Sequence, residues 1–312
     1  MNVLNIVTNQ NINFFKNQVG ELNQRGIRSS VITPRQQRAD ELGSAENSRS
    51  VLDYVPLYGK AIKNGLDDYD LVHANNGLTA PFAIGQPCRP IVLSLWGSDL
   101  MGKYGRLSRY CARFFDEIIV MSEAMKDELG LDAHVIPHGV DLEAFHPIPQ
   151  QFAREAVGWE PERKHVLFLY DPRREVKNYP LAERVVDRVS DEFTEQIELQ
   201  VPFPIDHEMV PMYMNAADVL LMTSRREGSP NTIKEALACN LPVVATDVGD
   251  VSERVSGVEL SYACTDEEGL TEKLRLVLEQ EARSNGRSHA RDLSLERMGE
   301  RIESVYERAL DS

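Results

Sequence analysis

The sequence predicts an α/β protein built from two Rossmann-like domains, each with a parallel sheet. Three observations point there. Short β-rich runs alternate with helical-period segments from one end of the chain to the other, the pattern of parallel-sheet proteins. The 312 residues exceed one ordinary α/β unit and suit two of about 150 each. Finally, Pro137-His138-Gly139-Val140-Asp141, followed by Pro147-Ile148-Pro149, punctuates the middle, and the alternation restarts after it.

In the first half, strands are expected at Val3–Val7, Ser29–Thr33, Leu71–His73, Pro90–Leu95, Glu117–Met121 and His134–Ile136. Phe14–Arg25 reads as a helix because Phe14, Phe15, Val19 and Leu22 recur at helical spacing. Pro34–Arg49 is polar and aperiodic, which predicts a mobile loop. In the second half, strands are expected at His165–Tyr170, Ile197–Val201, Val219–Met222, Pro242–Ala245 and Gly257–Leu260. Helices are expected at Tyr179–Val189, Pro230–Cys239, Glu267–Glu281 and, amphipathic, at Ser294–Leu310. The domains then span 1–141 and 142–293, with 294–312 as a terminal helix.

Composition narrows the function classes. The net charge of −15 repels nucleic acid at long range, so no nucleic-acid partner is expected. No apolar run is long enough to span a bilayer, and the opening MNVLNIV reads as a buried strand and not a signal peptide. Cys88, Cys111, Cys239 and Cys264 lie far apart without Cys-x-x-Cys spacing, which predicts reduced thiols in a cytoplasmic protein and no zinc site. His73, His165, His207 and His289 show no metal-ligand spacing, so no metal is expected. No Gly-x-Ser-x-Gly, Walker or His-Glu-x-x-His motif occurs.

The chemistry concentrates in Ala217–Ala236. The segment starts as a buried strand, breaks at Gly228 and enters a helix, with Ser229 suited to the N-cap and Pro230 to the first helical position. Asn231 and Thr232 then fall in the first turn, where unpaired N–H groups and the positive dipole end attract phosphate. Glu227 precedes the helix and Glu235 lies about a turn and a half inside it. Ionised carboxylates accept hydrogen bonds only, so they suit sugar or ribose hydroxyls and repel phosphate. The same residues also fit a turn and an ordinary helix surface.

This stretch resembles the donor-site signature of the retaining glycosyltransferases of family 4 (glycosyl transferases group 1), which have the GT-B fold: Glu, seven residues, Glu, within Ser224-Arg225-Arg226-Glu227-Gly228…Glu235-Ala236. Leu241–Asp250, Leu22–Gly26 with Val31–Thr33, Asp70–Ala74, Gly97-Ser98-Asp99, Ile119–Glu123 and Ile136–Asp141 resemble further pieces in the same order. The resemblance implies two domains facing across a cleft, the second gripping a nucleotide diphospho-sugar, the first supplying a glycan or lipid-linked acceptor, and the last helix crossing back to the first. It implies that Glu235 binds ribose hydroxyls, that Glu227 binds a hydroxyl of the transferred hexose, and that the amides around Asn231 and Thr232 hold the diphosphate, with Gly228 and Ser229 in the same donor-binding set. A cationic pair that neutralises the leaving diphosphate falls in Tyr170–Asn178. Lys177 is one member, and either Arg173 or Arg174 is the other. No metal or cofactor is required by such a design.

Three positions depart from the commoner family form. Thr8-Asn9-Gln10-Asn11-Ile12 stands where paired glycines are usual, Trp96 replaces a histidine that touches the donor sugar, and His138 replaces an asparagine. Asn11, Trp96 and Asp99 are the expected acceptor or cleft residues. Trp96 suits stacking on a sugar or filling core space. Two rival readings remain: a catalytically degenerate nucleotide-sugar- or glycan-binding relative, and a nicotinamide dehydrogenase, which lacks its Gly-x-Gly-x-x-Gly here. Lys103, Arg106, Arg109 and Arg113 recur at helical spacing beside Tyr104, Leu107, Cys111, Phe114 and Phe115. The patch suits a solvated helix face, a lipid-linked acceptor phosphate, or peripheral contact with an anionic membrane at its inner face.

Overall fold

The structure is a computed structural model, and it describes residues 1–34 and 55–312. The mobile loop expected at Pro34–Arg49 lies, apart from Pro34, outside the described residues. The chain divides into two compact units, one comprising 1–139 and 295–312 and the other 140–294.

The first unit holds a six-stranded parallel sheet ordered β2-β1-β3-β4-β5-β6. Its strands are β1 (Asn2–Val7), β2 (Arg28–Ile32), β3 (Leu71–Asn75), β4 (Ile91–Ser94), β5 (Glu117–Val120) and β6 (His134–Val135). β1, β3 and β4 are buried along almost their whole length, as strands covered on both faces must be. Several polar residues inside them bond one another. The Asn75 amide donates to Asn5 Oδ1 at 2.9 Å and accepts from Gln18 at 3.0 Å. His73 meets Ser94 and the Tyr306 hydroxyl at 2.7 and 2.6 Å, and burial drives its pKa down to about 3, so the ring stays neutral. Tyr306 belongs to the terminal helix Leu295–Asp311, which packs on Asn13–Gln24 with Arg25 bonded to Glu303 at 2.8 Å.

The second unit holds a five-stranded parallel sheet ordered β11-β10-β9-β7-β8. Its strands are β7 (Lys164–Leu167), β8 (Ile197–Gln200), β9 (Val219–Met222), β10 (Val243–Thr246) and β11 (Tyr262–Cys264). β7 and β9 pair in register, Val166 with Val219 and Leu167 with Leu220. Because the chain goes from β7 outward to β8 and then returns to the other side of β7 as β9, the β7/β9 seam is where strand order reverses. Ligands of open α/β sheets bind outside the carboxyl ends at such a seam.

One expected strand is corrected. Gly257–Leu260 is not extended: Gly257 has φ +74° and Leu260 φ +54°, so both turn, and β11 forms two residues later. Val258, between them, is buried and packs into the core from a turn.

Candidate functional site

The loops leaving β7 and β9 converge at the seam. After β7 the chain passes Tyr170 and Asp171, makes a short 3-10 turn at Glu175–Lys177, and reverses at Asn178, whose φ is +53°. This brings Lys177 back over the sheet edge, only 7% exposed, with its Nζ 2.5 Å from Glu227 Oε1. The Lys177 ammonium also lies 3.9 Å from the centre of the Tyr170 ring. Burial lowers its pKa from the ordinary lysine range, and the Glu227 carboxylate opposes that shift.

Three loops are stitched together to hold this pair. The Thr223 hydroxyl donates to the carbonyls of Lys177 and Asn178, both at 3.1 Å, and the Arg225 N–H donates to the Val176 carbonyl at 2.8 Å. Thr246, at the end of β10, donates to the Ser224 carbonyl at 2.6 Å. Gly249 then presses its backbone onto the Glu227 loop. A Cβ there would meet the Gly228 carbonyl oxygen at 2.6 Å, and its φ of +63° suits glycine alone.

The helix Asn231–Ala238 begins beside the pair. Its N-cap is Pro230, one residue later than expected for Ser229, because Pro230 has ψ 119° and is still extended. No side chain caps the first turn, so the amides of that turn keep their donor capacity. Ser224 Oγ, Ser229 Oγ and Asn231 Oδ1 are buried atoms without a hydrogen-bond partner. Orphaned polar atoms cost about 1–3 kcal/mol each, and three around one loop mark a place built for a polar ligand. Glu235 sits within this helix, and burial pushes its carboxyl up to about 7. Its neighbour Lys234 is buried and pushed down to about 8.

The two arginines separate. Arg173 is exposed and held by Asp171 through Nε–Oδ1 and Nη2–Oδ2 contacts of 2.9 Å, with its guanidinium over Phe203. Arg174 is exposed, but its charge is felt at Lys177, where it adds to the lowering by burial, and at Tyr170, where it opposes the rise that burial causes. Thus the structure brings together Lys177, Glu227 and Thr232, with Arg174 in electrostatic reach, and ties Arg173 to Asp171. Tyr170 and Ser224 were missed in the sequence. Both lie just past the carboxyl ends of strands flanking the reversal point, and that rule alone was the signal available.

The corresponding end of the first unit's sheet is different. Trp96 is half-buried and meets Phe14 edge-on at 4.9 Å and His138 at 5.8 Å, while Phe14 stacks on His138 at 4.0 Å. Its indole thus packs in an aromatic cluster. Asp99 is 3% exposed, and its oxygens accept from the N–H groups of Gly77, Trp96 and Gly97 at 2.8–2.9 Å. That carboxylate fixes the turn carrying Trp96, while Asn11 is exposed, its N–H donating to Asn9 at 3.0 Å. Among the described residues no group of three or more His, Cys, Asp or Glu could hold a metal ion.

The basic segment is also revised. The helix is Gly105–Ala112, so Lys103 precedes it, and Cys111 is buried and Phe115 half-buried. Arg109 is paired with Glu128. Lys103, Arg106 and Arg113 remain exposed among Tyr104, Leu107, Tyr110 and Phe114. Among the described residues no helix is long and apolar enough to cross a membrane.

Residues 175–280 match the family model described as glycosyl transferases group 1, and residues 13–144 match the one described as glycosyltransferase family 4. A Bacillus subtilis protein named as a teichuronic acid biosynthesis glycosyltransferase is 26% identical over 303 residues, covering 77% of each chain. Sucrose-phosphate synthase from Thermosynechococcus elongatus superposes with a TM-score of 0.78 at 17% identity, covering 99% of this chain and 98% of that one. Anabaena HepE, solved with UDP and glucose, superposes with a TM-score of 0.72 at 17% identity, covering 97% and 98%.

Proposed function

The chain belongs to the group 1 glycosyltransferases and has the GT-B fold, and from that premise we propose that it transfers a hexosyl unit, with retention, from a nucleotide diphospho-sugar to a glycan or lipid-linked acceptor. The observation that carries the donor assignment is the Lys177–Glu227 pair at the β7/β9 reversal point, next to an uncapped helix end and three orphaned polar atoms. A diphosphate supplies the negative charge that the ammonium and helix amides attract. Glu235 accepts from ribose hydroxyls, and Glu227 from a hexose hydroxyl. Arg174, not the Asp171-bound Arg173, completes the cationic pair.

In the reaction the bond from the anomeric carbon to the diphosphate oxygen breaks as the acceptor oxygen bonds the same face of that carbon. The acceptor proton passes to the leaving phosphate oxygen. Charge grows on the diphosphate as the bond breaks, and Lys177, Arg174 and the helix amides are already oriented to meet it. That cationic set does what a divalent cation does elsewhere, so activity should survive chelation by EDTA. A calorimetric panel of nucleotide sugars identifies the donor, and proton NMR of the product reads the anomeric configuration. Inversion would overturn retention, and absence of binding by every nucleotide diphospho-sugar would overturn the donor class. Binding without turnover would leave the degenerate relative standing.

Peripheral contact with an anionic membrane at its inner face belongs to the same proposal. Of ten exposed large apolar side chains among the described residues, four lie within 104–114, interleaved with Lys103, Arg106 and Arg113. Apolar insertion plus about 1 kcal/mol per basic residue favours an anionic lipid surface over water. Salt-sensitive co-sedimentation with phosphatidylglycerol vesicles, lost when the three bases become glutamine, is the expected result. No sedimentation of the native chain at low salt would remove the membrane from the account.

A further inference from the structure

Resting on that donor assignment, we propose that Tyr170 is the positioning residue of the diphosphate site, its ring holding the Lys177 ammonium and its hydroxyl fastening that ammonium to the first turn of the helix Asn231–Ala238. The ring centre lies 3.9 Å from Lys177 Nζ, inside the range of a strong cation–π contact. The hydroxyl is hydrogen-bonded to Thr232 Oγ1, in the helix turn whose amides are uncapped. One side chain therefore touches both anion-attracting elements of the site.

The arrangement answers a problem that the Lys177–Glu227 pair creates. Among the described residues Glu227 is the carboxylate paired with Lys177, and in the proposed complex that same carboxylate turns to a sugar hydroxyl. A lysine released from that ion pair has four rotatable bonds with which to leave a buried site for water. The aromatic face remains as an attractive wall that neither competes for the diphosphate nor demands a proton. Tyr170 is itself fixed from behind, its ring edge-on to Phe168 at 5.5 Å, and is 9% exposed. The phenol also stays protonated, since burial and the nearby Glu227 charge raise its pKa, and a protonated hydroxyl keeps its bond to Thr232.

The test uses the full chain and inorganic pyrophosphate, a probe that needs neither base nor sugar, titrated by calorimetry at low ionic strength. Lys177→Ala should weaken pyrophosphate about tenfold or more, and Tyr170→Leu by about five- to tenfold. The double variant should bind no more weakly than Lys177→Ala alone, because both remove one device. Tyr170→Phe, which keeps the ring but loses the bond to Thr232, should weaken pyrophosphate binding about two- to threefold, between the native chain and Tyr170→Leu, and thermal melts establish that each variant is folded. If Tyr170→Phe falls as far as Tyr170→Leu, or if the losses of Tyr170→Leu and Lys177→Ala add, the positioning role is wrong while the diphosphate site stands. If the native chain does not bind pyrophosphate, or Lys177→Ala binds it normally, the donor assignment fails and the role of Tyr170 goes with it.

Discussion

At the carboxyl end of the second sheet a buried lysine pairs with a half-buried carboxylate; at the same end of the first the side chains are aromatic and largely neutral. Lys177 and Glu227 pair beneath loops stitched by Thr223 and Thr246, with polar atoms left unpartnered. In the first unit Phe14 stacks on His138 and Trp96 meets both rings edge-on, while the Asp99 carboxylate is consumed by backbone amides. The two parallel sheets thus differ at their carboxyl ends, one carrying an ion pair and the other an aromatic cluster. The charged end suits an anionic leaving group, where fixed charge in a low-dielectric site has the most effect. The aromatic end suits shape recognition of a sugar or of another apolar face.

The comparison breaks most readily at Lys177. Lys177→Ala should lower kcat about a hundredfold while nucleotide affinity falls far less, because diphosphate charge grows in the transition state. Steady-state kinetics with the donor found by calorimetry checks it, and an unchanged kcat would detach this loop from the chemistry.

Glu235 comes next and acts on binding. Burial pushes its carboxyl up to about 7, and the ionised form accepts the ribose hydroxyls, so nucleotide affinity should be full above pH 7 and decline as pH falls below it. Glu235→Gln should cost about 1–3 kcal/mol of affinity at pH 8 and flatten that pH dependence. Stability should move the other way. The unfolded carboxyl loses its proton near 4.5 and the folded one near 7, so this group subtracts stability as pH rises through that window. The Gln variant should therefore melt higher than the native chain at pH 8, by calorimetry, and no difference would mean that the carboxyl is not strained by burial.

A smaller contrast sharpens the arginine assignment. Arg174→Ala should lower kcat about tenfold, whereas Arg173→Ala, which frees Asp171, should change it less than about twofold. The reverse order would show that Arg173 leaves Asp171 when the donor binds.

How far the sequence could reach follows from these same residues. Strand, break and helix across Ala217–Ala236 were legible because Gly228 and Pro230 interrupt two different periodicities within a few residues. Gly257–Leu260 was misread because one buried valine beside a glycine looks the same in a strand and in a turn. Lys103 was placed on a helix that begins two residues later at Gly105, an ambiguity that spacing alone cannot resolve. Glu227 and Glu235 could be chosen from the signature, but the ion pair between Lys177 and Glu227 joins residues fifty apart in the chain. It exists only because β7 and β9 are neighbours, and strand order is not written locally. Tyr170 was invisible for the same reason.

The smallest expected effect lies on the aromatic side. Trp96→Leu should cost about 1–3 kcal/mol of fold stability through lost ring packing, yet shift nucleotide affinity by less than about twofold. A large loss of nucleotide affinity would erase the distinction between the two sheet ends.

Hydrogen exchange on the full chain, with and without the nucleotide diphosphate that binds best in the calorimetric panel, tests the central claim most directly. The account expects added protection at 171–178, 224–235 and 246–250, the loops around Lys177, Glu227 and Gly249. Protection confined to 8–12 and 96–99, with those three segments unchanged, would contradict it.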